Sequence, residues 1–284
     1  MKSKSLRGLV GCIACLAATA AVHAQAPVPQ STPAPDAPAP TLTTPPEKEG
    51  WKGPFGGSFN ASFTFATDYS FRGISQTARQ VAFQPSFGYE TASFGQDMAV
   101  SAYVGVWGTN FSSPGSTTEV DLLAGFKGKA LNERLTFDLG FVRYNYLSAP
   151  ADLYYDFNEF GLTAGYDFGL FQAKAAVYYS PNFYANSGIA WYKWGQVTIP
   201  LRFVQINENV SFRLFGSLGN QYVERYPRYD IGVDNYWDWQ VGLAATVYGF
   251  DLTIAYVDTN LGIANCANTR NCEPRAVFTF SKAF

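Results

Sequence analysis

Charged residues recurring on one side of an alternating apolar–polar pattern can pair across strands, hold water, or select ions moving along a lumen. Twelve positions have this character: Asp68, Arg72, Glu119, Asp121, Lys127, Asp138, Glu159, Lys174, Arg213, Asp238, Asp251 and Arg275. By parity each lies opposite aromatic or aliphatic residues. Seven are acids and five are bases, which predicts pairing at several sites and a weak preference for cations. Other chemistry is poorly supplied. The only histidine is His23, within an N-terminal leader, so a Ser–His pair is missing from the remainder. No HExxH, P-loop or GxSxG stands in a sensible context. No enzyme activity, cofactor or metal is therefore expected. Cys266 and Cys272 are read as a disulfide closing a small loop. Two thiols without a histidine are a poor metal-ligand set, and they lack the CxxC spacing of redox motifs. Without a basic patch, nucleic acid is not an expected partner.

These residues need elements that separate two faces at period two. The stretch "FTFATDYSFRGISQT" alternates Phe63, Phe65, Tyr69 and Phe71 with Thr64, Asp68, Ser70 and Arg72, as a β-strand would. The pattern recurs over 58–71, 79–90, 97–107, 118–128, 134–146, 156–167, 170–180, 190–202, 208–219, 235–247, 250–259 and 274–284. Most runs suit a tilted membrane strand of about 9–11 residues better than a soluble strand of about 5–6. Links alternate between short turns such as "KALNE" and long polar loops such as "NQYVERYPRYDIGVD". Short turns on one rim and long loops on the other are the pattern of a bacterial outer-membrane barrel.

The sequence thus predicts an all-β, transmembrane antiparallel β-barrel of about twelve strands in the bacterial outer membrane. Its lumen would lie between the filled interior of about 8 strands and the open channel of 16–18, passing ions or small hydrophilic solutes. Phe63, Phe65, Tyr69 and Phe71 are expected to face lipid or its rim, and Trp191, Trp194, Trp237 and Trp239 to form an interfacial girdle. Asp68 and Arg72 would share one strand face about 13 Å apart. The loop "QYVERYPRYD" sets tyrosines beside arginines without demanding a ligand. A closed-lumen structural or adhesive barrel and a soluble secreted β-protein are the alternatives.

Composition agrees. Aromatics make up 17% of the 284 residues and charged residues 15%, below the roughly 25% charged of soluble domains. No run of about 18 apolar residues follows the N-terminus. Lys2, Lys4 and Arg7 precede an apolar stretch ending at Val22-His23-Ala24, predicting a signal peptide over 1–24. A lipoprotein reading at Cys12 is disfavoured, since almost no apolar segment precedes it. Cleavage leaves 17 basic against 22 acidic residues, a net charge of −5. Residues 25–56 form a Pro/Ala-rich periplasmic tether, and 57–284 the barrel. The terminal "VFTFSKAF" places Phe278, Phe280 and Phe284 in one register, resembling the signal that outer-membrane barrels show their assembly machinery. Lys282 stands in that register as a charge among apolar residues but can snorkel.

At Thr67-Asp68-Tyr69-Ser70-Phe71-Arg72-Gly73-Ile74-Ser75-Gln76 the chain resembles the TorF family of outer-membrane porins, whose barrel opens with an S-D-Y-x-F-R-G-x-S-Q type motif. Gln84-Pro85 and Trp107-Gly108-Thr109-Asn110 resemble two further family elements. Thr67 and Thr109 stand where the family more often has Ser. The resemblance spans roughly 57–284 and implies a barrel and its location more than a substrate.

Overall fold

A computed structural model describes residues 53–95, 98–113, 115–204 and 207–284. The predicted leader 1–24 and the predicted tether up to residue 52 lie outside the described residues. Gly53–Gly56 of the tether forms a short turn, against which the Tyr89 hydroxyl donates to the Pro54 carbonyl.

The alternation becomes a closed antiparallel ladder of twelve strands. They are β1 (Ser58–Ala66), β2 (Ala82–Glu90), β3 (Met98–Ser113), β4 (Ser116–Ala130), β5 (Leu135–Leu147) and β6 (Phe157–Asp167). Then follow β7 (Gln172–Ser180), β8 (Ala190–Pro200), β9 (Val210–Val223), β10 (Asn235–Val247), β11 (Phe250–Thr259) and β12 (Arg275–Ala283). Each strand pairs with its sequence neighbour, and β12 returns to β1 through Ser62↔Ala283 to Ala66↔Thr279. Closure leaves no ladder edge unpaired, which a lipid-embedded sheet requires.

The outer face is apolar along whole strands. Phe65, Leu122, Leu162 and Ile254 are each at least half exposed in the isolated chain, as side chains in contact with hydrocarbon are. Phe63 and Phe65 point outward as expected. Aromatics collect near both rims: Tyr166, Phe168 and Phe171 stack at the short-turn rim, and Tyr179 packs on Trp191 near the long-loop rim. Trp237 is exposed too, but Trp194 is 7% exposed and faces inward, so it does not belong to the girdle. It follows Trp191 by an odd number of residues, and period two sends it to the other side. The Lys282 ammonium reaches the Tyr248 carbonyl at 3.5 Å and lies 4.8 Å from the Phe250 ring centre, the snorkelled placement its stem allows.

Two boundaries depart from expectation. The β3–β4 ladder continues through Asn110↔Thr118 to Ser113↔Ser116 with an irregularity between, so the long loop expected there is largely strand. More consequential, the first strand stops at Ala66 rather than 71. Residues 70–71 and 74–75 form a separate two-stranded hairpin that turns into the barrel mouth. Arg72 (φ 51°) and Gly73 (φ 79°) make its tip in left-handed backbone. Both hairpin arms are extended, so alternation runs unbroken across the bend and reads as one strand.

Candidate functional site

The hairpin is held by its charged residues. Asp68 Oδ1 accepts from Ser75 Oγ at 2.6 Å and Thr77 Oγ1 at 2.8 Å, drawing the two arms together. Its Oδ2 meets Arg275 Nε of β12 at 2.5 Å. Arg275 Nη1 also donates to the Gly73 carbonyl at 2.9 Å. Asp68 and Arg72 therefore share no strand face; Asp68 finds its partner on β12, the strand next to β1, and Arg72 on β6 across the lumen, a cheaper solution for buried charges than water-poor isolation.

Arg72 reaches across to β6 and β9. Its Nη2 donates to Glu159 Oε2 at 2.7 Å and Oε1 at 2.9 Å, and Nη1 to Gln221 Oε1 at 2.6 Å. The guanidinium carbon lies 4.3 Å from the Tyr192 ring centre and 4.5 Å from that of Phe71. Tyr144 donates to Glu159 Oε2 at 3.2 Å. Tyr69, expected to face lipid, is buried against Trp107 instead and donates to Glu119 Oε1 at 3.2 Å. Burial, and then the charge of Glu119, push its phenol well above the ordinary value, so it remains a donor. Phe71, also expected outside, packs edge-on against Tyr144.

Loops complete the stopper. An apolar cluster of Phe111, Tyr146, Phe157, Phe183, Val223 and Tyr236 fills the mouth around the hairpin. Tyr226 and Tyr229 of "QYVERYPRYD" pack on it, so those rings are spent on filling the mouth. Cys266 and Cys272 are joined, with Cα atoms 6.1 Å apart. The loop they close supplies the Asn271 carbonyl to Ser75 N at 2.9 Å, and the Arg270 carbonyl accepts from Arg79 Nη2.

The remaining predicted charges sit on the inner face of strands. Lys127 on β4 meets Glu90 at 2.6 Å, and Arg213 on β9 meets Asp251 on β11 at 3.3 Å. Asp138 on β5 accepts from Tyr103 at 3.0 Å, and Asp238 on β10 from Tyr192 at 3.0 Å. Glu119 and Asp121 lie two apart on β4, both fully buried, and Asp121 Oδ1 has no protein partner among the described residues. Lys174 projects inward from β7, partly buried. Glu90 and Gln221 escaped the sequence reading. Both were in reach of parity, being in step with the inward Ser86 and Ser217. The aromatic partners of Arg72 were not, because nothing in spacing says that a loop folds inward.

Fold and site geometry can be set against known proteins. Of solved structures, LpxR from Salmonella typhimurium matches at 8% identity and a TM-score of 0.40, covering 79% of this chain and 99% of that one. A NanC porin matches at 11% and 0.43, covering 80% and 98%. The outer-membrane channel DcaP of Acinetobacter baumannii matches at 9% and 0.38, covering 83% and 99%. Likeness at this level says nothing of activity, and the barrel rests on its own ladder. No curated protein sequence matches. A family model described as a bacterial protein of unknown function, Gcw_chp, matches residues 48–284. That match takes in every described strand, and the chain belongs to the Gcw_chp family of bacterial proteins.

Proposed function

We propose that this barrel is a porin-like passage of the bacterial outer membrane, carrying ions or small hydrophilic solutes by passive diffusion, with its outer mouth stoppered by the hairpin. One observation carries the reading: the obstruction is a loop, held by Arg72–Glu159 and Asp68–Arg275, inside a wall that is apolar outside and charged inside. Strands cannot leave a closed ladder, but a loop can swing. The long loops face the cell exterior, and the start of β1 and the end of β12 face the periplasm. Phe284, exposed beside Phe63, is the residue offered to the assembly machinery. The resemblance to TorF porins fits this assignment, and no covalent chemistry is ascribed to the lumen.

The aromatic cluster around the hairpin favours one second reading, a permanently closed structural or adhesive barrel. Planar-bilayer recording separates the two. The refolded full chain is expected to give rare or small current steps, and Asp68→Asn/Arg72→Ala frequent, larger ones. Silence from both, with insertion verified, supports the closed barrel.

A further inference from the structure

Arg72 sits against the barrel as a ligand sits in a receptor. Apart from Phe71 beside it, the groups around its guanidinium belong to the wall or to the β7–β8 loop. Glu159 is on β6, Gln221 on β9 and Tyr192 on β8. The ring centres of Tyr178 on β7 and of Phe183 lie 5.8 and 5.6 Å away. Tyr144 of β5 fixes the carboxylate from behind. None of these side chains depends on the hairpin for its place in sequence: Glu159 is 87 and Gln221 is 149 positions from Arg72.

The set matches one chemistry. A carboxylate meets one nitrogen with both oxygens, an amide oxygen takes a second nitrogen, and an aromatic face covers the plane. A planar guanidinium can satisfy all three together, whereas a compact ammonium lacks the fork.

We propose that this cage is a binding station for guanidinium-bearing solutes, with Arg72 as its tethered occupant. A free guanidinium competes with Arg72 for Glu159 and Gln221, and its binding releases the hairpin. Admission through the mouth is thereby linked to the class of solute that the cage takes. The link to passage rests on the porin reading; the cage itself does not.

The test uses the refolded full chain in detergent micelles. Arg72→Ala empties the cage and leaves every wall residue in place. Its thermal midpoint is titrated with methylguanidinium chloride, methylammonium chloride and sodium chloride at matched ionic strength. Methylguanidinium should raise the midpoint at a concentration roughly tenfold lower than methylammonium requires, about 1.4 kcal/mol of discrimination. Arg72→Ala/Glu159→Gln should lose the preference. Equal responses to the three salts overturn the proposal.

If Arg72→Ala does not fold, the wild type serves. Methylguanidinium should then speed amide exchange at Gly73, Ser75 and Gln76 while methylammonium does not. Exchange that ignores methylguanidinium overturns the cage. A guanidinium-selective response in a protein that never conducts would sink the porin reading and leave the cage standing.

Discussion

Arg72 and Glu159 meet through two hydrogen bonds from one guanidinium nitrogen, and both side chains are almost wholly buried. Breaking a buried pair from one side strands the other charge, at a cost of about 3–5 kcal/mol. Glu159→Gln should therefore destabilise the folded barrel or unseat the hairpin, while Arg72→Met/Glu159→Gln should recover part of the loss. Thermal unfolding of the single and double variants reads this, and strict additivity would mean that the pair is not coupled.

Gly73 is the position where the backbone demands glycine. Its φ is 79°, and an added Cβ would lie 2.3 Å from Thr259 Cγ2 and 2.8 Å from Asp238 Cβ. The left-handed backbone alone costs a non-glycine residue about 1–2 kcal/mol. Gly73→Ala should raise amide exchange across residues 69–76 while leaving the strand ladder protected. Unchanged exchange would place the tip elsewhere than between β10 and β11.

The disulfide bears on the same segment. Closing so short a loop is worth about 2 kcal/mol in the chain-entropy account. In Cys266→Ser/Cys272→Ser the Asn271 carbonyl should lose its fixed position beneath Ser75. The expected result is faster exchange at Ser75 and a midpoint of the whole barrel lowered by about 4–8 °C.

The two faces can be told apart by fluorescence. Trp191 and Trp237 are 40% and 45% exposed, against 6% for Trp107 and 7% for Trp194. In single-tryptophan variants, lipids brominated along the acyl chain should quench the first two strongly and spare the others. Quenching of Trp194 comparable to Trp191 would invert the inside and outside of β8.

Lipid contact also makes the outer wall intolerant of charge. Leu162 lies mid-strand on β6 and is 52% exposed. Leu162→Arg should cost about 2–4 kcal/mol, measured by denaturant unfolding in lipid vesicles. The same change at an aqueous surface would be nearly silent.

The barrel was legible because period two is a local signal that survives in every strand. Phe63 and Phe65 alternate with Thr64, and that alone sets inside from outside. Parity also located Glu119, Asp121 and Glu159. It failed at Tyr69 and Phe71, because alternation continues through a bend of extended residues and carries no record of direction. Gly73 marked a turn, but a turn that exits to solvent and one that dives inward use the same residue. The cage around Arg72 was illegible for a different reason: its members come from five consecutive strands and a loop, and only the inward fold of the hairpin brings Arg72 to them. Trp194 lies near a strand end as Trp191 does, but the odd spacing between them sends it to the inner face.

Asp68 comes just after the first strand and Arg275 opens the last, and the Thr67 amide donates to the Phe278 carbonyl at 2.9 Å beside them. The stopper is thus also a clasp, fastened over the only seam in the cylinder that joins the two ends of the chain. The clasp needs both β1 and β12 in place, so a half-built barrel has nothing to fasten its plug to on that side.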